Sequence, residues 1–320
     1  MKKTVLFIVG SGHSGSTIMD LVLGANSKCF SLGEITKIDR AIQNNIFCVC
    51  GSRILECDFW RSVAEDYTAE IGNNPFRREG EFGISLTNNT GIKFIRRLKK
   101  VLEVIGLKKN KESWIERTLS LYRAVFRHSG ADILVDSSKN IKRAMILANQ
   151  FEDIDFRIIH LVRDVRGVAY SYQKPTYTVQ LPNETEPTTY PAIDLFPIEK
   201  TAGIWLRENA LISLLLKARL PAENWKRVRY ESVCNNPEES LSDICSWLGI
   251  AYEPVMIKFG SVPHHNVGGN SSRFNSKEIH NIRSGWKKSL TRTQQERCTR
   301  YSSALMRLYG YDVSPSLDVI

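Results

Sequence analysis

The stretch that decides the reading is GSGHSGST, residues 10–17. It follows the apolar run TVLFIV at 4–9 and leads into IMDLVLGAN, which has helical spacing. Gly10, four intervening residues, Gly15 and then Ser16 and Thr17 make the frame of a phosphate-binding P-loop, with Ser16 where a nucleotide triphosphatase has lysine. Backbone N–H groups of residues 12–17 can wrap a phosphate, and a helix opening near Gly15 adds its positive end. Ser16 and Thr17 offer hydroxyls as well. Without the lysine that reaches the β and γ phosphates, a kinase or GTPase mechanism lacks an important part. The loop therefore reads as a cradle for a different anion.

Working outward, three more strand-like runs end at polar sequence. KCFSL (28–32) ends at Gly33-Glu34, DILV (132–135) at DSSK (136–139), and FRIIHLV (156–162) at Arg163-Asp164. Helical patterns lie between or after them at 16–24, 113–127, 140–150 and 165–172. Strands alternating with helices predict an α/β fold, a central parallel sheet flanked by helices on both faces. Ligands of such sheets bind beyond the carboxyl ends of the strands, so the four polar clusters are expected at one edge. Further on, the patterns predict a long helix over 198–220, a late strand over 226–230, a helix from Pro237 to a stop at Gly249, and a final helix over 291–309. Residues 174–197 hold five of the eleven prolines and read as a long, lid-like loop. Residues around 45–112 read as an insertion in a single domain spanning 1–320.

Composition narrows the partners. The net charge is +10, from 44 basic and 34 acidic residues, which suits an anionic partner. Part of the excess is local, in RRLKK (96–100) and KKNK (108–111), where a solvated helix face competes with a surface for anionic lipid or an acidic polymer. A peripheral membrane contact is therefore kept open, while the basic patches lack the interleaved aromatics of a nucleic-acid stacking platform. No apolar run approaches the roughly 20 residues of a membrane span, and the reading is a cytoplasmic protein of open oligomeric state. Cys48, Cys50 and Cys57 form a cluster, CVCGSRILEC, that reads as metal-binding or simply buried, not disulfide-bonded. The spacing is not a standard zinc pattern and shows no obvious fourth ligand, with Cys29 as one candidate. No metal is expected in catalysis.

A second constellation, HLVRDVRGVAYSY, places Arg163 at a strand end and Ser171 two helical turns later, where a guanidinium and a hydroxyl can grip one phosphate. Arg166 is either a further ligand or a partner of Asp164. Taken together, SGHSGST and RDVRGVAYS resemble the 5′-phosphosulfate loop and the 3′-phosphate motif of the P-loop sulfotransferases, which use 3′-phosphoadenosine 5′-phosphosulfate (PAPS). Gly33-Glu34, the cysteine cluster followed by Phe59-Trp60, the DSSK segment, residues 230–250 and GGNSSRF (268–274) resemble bacterial members. The resemblance implies a P-loop NTPase-like three-layer fold and a donor with no γ-phosphate and no required metal. It also implies a second anion site for the ribose 3′-phosphate, made by Arg163 and Ser171.

The donor residues are then Gly12, Ser14, Gly15, Ser16, Thr17, Arg163 and Ser171, with Arg273 closing over the nucleotide and Trp286-Lys287 in competition between that role and helix packing. Where the family usually has Lys or Arg before Ser14, this chain has His13, which supplies charge only when protonated. Lys139 is the expected permanent cation. Glu34 is the first choice of general base for the acceptor hydroxyl, with a carboxyl that partial burial raises towards neutrality. Asp136, His264 and His265 are its rivals. The acceptor is expected to be a carbohydrate or glycolipid, because Tyr172, Tyr177, Tyr190 and Trp205 lie in or beside the 174–197 loop and aromatic rings can stack on sugar faces. The competing reading is a P-loop kinase or NTPase with a displaced lysine; it predicts magnesium-dependent ATP turnover.

Overall fold

The strand Thr4–Val9 (β1) is buried along its whole length, as an apolar run covered on both faces should be. Val5, Phe7 and Val9 point into one hydrophobic cluster and Leu6 and Ile8 into another, the period of two that a pleated strand imposes. The computed structural model describes residues 2–72, 113–150, 153–181, 184–192, 195–280 and 285–315. The basic runs 96–100 and 108–111, and most of the expected insertion, lie outside the described residues.

Around β1 the strands Cys29–Gly33 (β2), Ile133–Lys139 (β3), Asp155–Val162 (β4) and Trp225–Arg229 (β7) form one sheet in the order β2-β3-β1-β4-β7, every neighbouring pair parallel. On one face pack the helices Ile38–Gln43 (α2), Asp58–Ile71 (α3), Ser113–Ser129 (α4), Ile141–Ala148 (α5) and the latter half of Ile198–Arg219 (α7). On the other lie Ser16–Gly24 (α1), Tyr230–Asn235 (α8) and Pro237–Leu248 (α9). A third cluster joins Val165–Tyr172 (α6), the start of α7 and the C-terminal helices beside β4. The α/β three-layer expectation therefore holds. Among the described residues no helix is long and apolar enough to cross a membrane.

Residues 45–72 pack into the first cluster. Trp60, Val63 and Tyr67 of α3 are fully buried in the cluster that also holds Val5 and Phe7, and emptying a site such as that of Trp60 costs about 3–5 kcal/mol. The segment from Cys48 to α3 is thus fastened to the body of the fold.

Three expectations change. β3 runs through DSSK instead of stopping at Val135, because Asp136 and Ser137 are buried and Asp136 is satisfied by Tyr122 Oη–H at 2.7 Å and Ser138 N–H at 2.9 Å. The single helix expected over 291–309 is two, Arg292–Thr299 and Ser303–Leu308. Thr299 Oγ1 donates back to the Gln295 and Glu296 carbonyls, and the turn closes by Ser302 N–H to Thr299 O, local bonding that competes with helix continuation. Residues 174–197 are not irregular throughout. Thr176–Val179 (β5) and Thr188–Pro191 (β6) form an antiparallel hairpin, its proline tolerated at the end of an edge strand. Across it Tyr177 opposes Tyr190 and Thr178 Oγ1 meets Thr189 Oγ1 at 3.0 Å.

Candidate active site

Because every strand of the sheet is parallel, their carboxyl ends share one edge. That edge receives the glycine loop from β1, Glu34 from β2, Lys139 from β3, Arg163 from β4 and Tyr230 from β7. The sequence foresaw four of these five tips.

The loop from β1 turns into α1 through Gly15, whose φ of 93° lies in the left-handed region and suits a residue with no Cβ. No side chain caps α1, so its first N–H groups remain for a ligand. The hydroxyls of Ser11 and Ser14 are buried without a hydrogen-bond partner, so neither is committed to the protein's own structure. Two tyrosines clamp the loop. A Cβ on Gly12 would fall 2.2 Å from Tyr172 Oη, and one on Gly15 would fall 2.4 Å from the Tyr230 ring. His13 also takes a positive φ, 57°, and its ring meets Tyr172 edge-on at 4.2 Å. Thr17 Oγ1 accepts the Asn270 N–H at 3.1 Å, which seats residues 268–270 over the start of α1. Ser16 is buried in the first turn of that helix.

Arg163 and Ser171 meet as their spacing required. Arg163 Nη1 donates to Ser171 Oγ at 3.3 Å and to the His13 carbonyl at 2.9 Å, so this pair adjoins the glycine loop. Trp205 Nε1–H donates to the Arg163 carbonyl at 2.8 Å and its ring is fully buried. Trp205 therefore positions Arg163 and is closed to any sugar. Arg166 binds Asp164 and the carbonyls of Asp312 and Ser314, and lies over the buried Trp286 at 4.1 Å. Both are packing elements.

Glu34 is 7% exposed and held by two ammonium groups, Lys139 Nζ on Oε1 and Lys37 Nζ on Oε2, each at 2.5 Å. Burial pushes its carboxyl up, but Lys139 and Lys37 together bring it below the ordinary glutamate range. The expected rise towards neutrality is corrected: two opposite charges outweigh desolvation. Lys37 was missed although it stands three residues from Glu34, the spacing at which such pairs form. Lys139 has a φ of 65°, which turns the chain at the strand tip.

The rival bases are otherwise engaged. Asp136 is fully buried under Tyr122, which Arg143 also contacts at 3.3 Å. His264 shares a hydrogen bond with the Phe259 carbonyl at 2.8 Å, and burial lowers its basicity. His265 lies among the cysteines, 3.3 Å from Cys57 Sγ. Arg273, expected over the nucleotide, is buried and donates to the carbonyls of Gly268 at 2.6 Å and Phe47 at 3.1 Å. It fastens the 268–270 loop to the segment before the cysteines. Cys29 packs in the α1 cluster with Cys245, apart from the other cysteines.

Sequence reasoning also missed Glu208, in the middle of α7. It accepts the Gly12 N–H, and burial raises its carboxyl pKa, with Lys139 near enough to oppose the rise. Its side chain stays open to solvent although protein surrounds it, as a residue lining a cleft would. Nothing in a long amphipathic helix singles out that position.

The strand tips thus gather the glycine loop, the Arg163–Ser171 pair and Glu34 with its two lysines at one edge of the sheet. The profile of the sulfotransferase family matches residues 90–254, and the chain belongs to that family, a family of transferase enzymes. Among solved structures it is similar to the sulfotransferase domain from the Synechococcus PCC 7002 olefin synthase, with 18% identity, a TM-score of 0.51, and coverage of 98% of this chain and 97% of that one. It is also similar to the sulfotransferase domain from the curacin biosynthetic pathway, with 17% identity, a TM-score of 0.51, and coverage of 97% and 98%. At these identities the likeness concerns the fold. No curated protein sequence matches the chain.

The clamp on the glycine loop is testable. Gly12→Ala should unseat the loop and weaken donor binding at least tenfold, because its methyl collides with Tyr172 Oη. Adding Tyr172→Phe, which removes that oxygen and leaves the next ring atom 3.3 Å away, should restore part of the loss in a calorimetric titration. No rescue would mean the contact does not shape the loop.

Proposed function

We propose that the chain transfers a sulfuryl group from PAPS to a hydroxyl of a carbohydrate or glycolipid. The observation that carries this reading is the junction of Arg163 with the His13 carbonyl, which sets a guanidinium–hydroxyl pair against a glycine loop in which the Ser11 and Ser14 hydroxyls have no hydrogen-bond partner. One anion site would suit many ligands; two adjoining ones suit a nucleotide charged at both its 5′ and 3′ positions.

In this reading the loop N–H groups beyond Gly12, with Ser14, Gly15, Ser16 and Thr17, hold the 5′ end, Gly12 giving its own N–H to Glu208, and Arg163 and Ser171 hold the 3′-phosphate. Bound there, PAPS supplies an activated sulfuryl group and leaves as adenosine 3′,5′-bisphosphate, chemistry that needs no metal. His13, fixed by Tyr172, and Lys139 face the charge that develops on the departing oxygen. Glu34 takes the acceptor proton. On doing so it loses its charge and frees Lys139 from their ion pair, so an ammonium becomes available as negative charge accumulates nearby. Arg273 acts indirectly, by holding residues 268–270 on Thr17.

The acceptor is assigned to the side of the hairpin. Tyr177 and Tyr190 stack at 5.6 Å and are 39% and 36% exposed, an aromatic surface of the kind that sugar faces cover. Asn275 ties the hairpin down, with Nδ2 donating to the Thr178 carbonyl at 2.7 Å and Oδ1 accepting the Gln180 N–H at 2.9 Å. We read the hairpin as a lid within a single domain.

Three outcomes test the assignment. Glu34→Gln should lower kcat by about 10²–10⁴-fold, the usual span for loss of a general base, while PAPS affinity stays near that of the native protein; unchanged turnover would remove Glu34 from the mechanism. A depressed carboxyl is ionised until the medium turns acid, so kcat/KM should hold as pH falls and drop only below about 4.3, the ordinary glutamate value. An acid limb near 6.5 would instead assign the base to a histidine. Finally, Arg163→Ala should weaken PAPS binding by about 10–100-fold, equivalent to the roughly 1.5–3 kcal/mol of a charged hydrogen bond, and barely affect adenosine 5′-phosphosulfate. Equal losses would place the 3′ site elsewhere.

A further inference from the structure

Four side chains from three separate parts of the chain converge near the strip that pairs with the end of β2. Cys48 and Cys50 come from a tight hairpin in which Cys48 N–H donates to Ser52 O at 2.9 Å, Phe47 pairs with Arg53, and Gly51 turns the chain at a φ of 102°. Cys57 is the residue before α3. His265 arrives from the loop that leads to Val267, its ring stacked on Phe59 at 5.0 Å. One ligand atom of each of the four lies within 4.8 Å of the other three.

The separations fit one metal better than they fit thiol packing. Sulfur about 2.3 Å and nitrogen about 2.0–2.1 Å from a tetrahedral zinc stand about 3.8 Å apart for two sulfurs and about 3.6 Å for sulfur and nitrogen. Here Cys50 Sγ and Cys57 Sγ are 3.7 Å apart, Cys57 Sγ is 3.3 Å from His265 Nδ1, and Cys48 Sγ is 3.9 Å from the same nitrogen. A disulfide needs about 2.0 Å, and apolar burial of thiols requires no imidazole nitrogen among them. Three soft thiolates and one imidazole in tetrahedral reach select zinc over the hard cations.

We propose that Cys48, Cys50, Cys57 and His265 bind one structural zinc ion. Four protein ligands close the coordination shell, so the ion has no position for substrate. Its work is mechanical. His265 lies two residues before Val267, whose N–H donates to the Leu32 carbonyl and whose carbonyl accepts the Glu34 N–H at 2.7 Å. Three residues beyond Val267, Asn270 binds Thr17. The ion would thus pin the strip that braces Glu34 and the start of α1 to the α3 segment, which is anchored in the core. That it steadies the transfer site rests on the proposed function; that it exists does not.

The full chain, produced with zinc in the medium and purified under reducing conditions, should carry about one zinc per chain by inductively coupled plasma mass spectrometry. X-ray absorption should show three sulfur and one nitrogen neighbour. Cys50→Ser, which alters the one exposed thiol of the set, and His265→Gln should each lower zinc affinity at least tenfold in a competition with a chromogenic chelator, whereas Cys29→Ser should not. Removing the ion should speed amide exchange at residues 265–270 and leave β1 protected. The proposal is overturned by zinc-free protein that takes up no added zinc, by a disulfide among the three cysteines in the reduced preparation, or by unchanged affinity in both ligand variants. Unchanged exchange at 265–270 would overturn the bracing role. None of these readouts depends on sulfuryl transfer, so they separate from a failure of the proposed function.

Discussion

A parallel strand can deliver its last residue only to the edge where its neighbours also end. In this sheet β1 is paired with β3 on one side and β4 on the other, and that arrangement sends the glycine loop, Lys139 and Arg163 to the same place. β2 brings Glu34 and β7 brings Tyr230 to flank them. The candidate active site follows from this constraint, because each strand tip holds only a fragment of it. The loop contributes dipoles and hydroxyls, β4 and α6 a guanidinium and a hydroxyl, β2 and β3 an ion pair.

The second organising fact is electrostatic. Glu34 sits in a buried place that would ordinarily drive it to take up a proton, and two ammonium groups reverse that tendency. The same arrangement gives the Lys139 ammonium a carboxylate partner. A carboxylate and an ammonium so paired need less solvation than either alone. The rival carboxylate, Asp136, serves the architecture, since each of its oxygens accepts a hydrogen bond, one from Tyr122 Oη–H and one from the Ser138 N–H.

Much of the fold was legible because its signals are local. Apolar runs with both faces buried, and turns marked by Gly10, Gly15 and Gly33, gave β1, α1 and α6 with the limits the structure shows. The pairing of Arg163 with Ser171 was readable from two helical turns of spacing. The failures are of a different kind. The hairpin at 176–191 has short strands, and its prolines concealed a cross-strand register that no single strand displays. Arg273 and Trp205 have suitable chemistry, but whether such groups face a cleft or the interior is settled by packing. Glu208 and His265 gain their neighbours from elements distant in sequence, Gly12 in one case and the cysteine hairpin in the other.

Residues 264–275 touch more of the molecule than their length suggests. One end meets the cysteines through His265, the middle braces Glu34 and Thr17, and the far end grips the hairpin through Asn275. A strip fastened at three stations cannot shift at one without load at the others. Any change in its placement that follows occupancy of the outer surface is felt at the inner cradle, and thermodynamic reciprocity makes the two effects equal in size. Under the proposed assignment the acceptor surface and the donor cradle are touched by one continuous ribbon of backbone, and discrimination between acceptors becomes a property that the donor pocket shares.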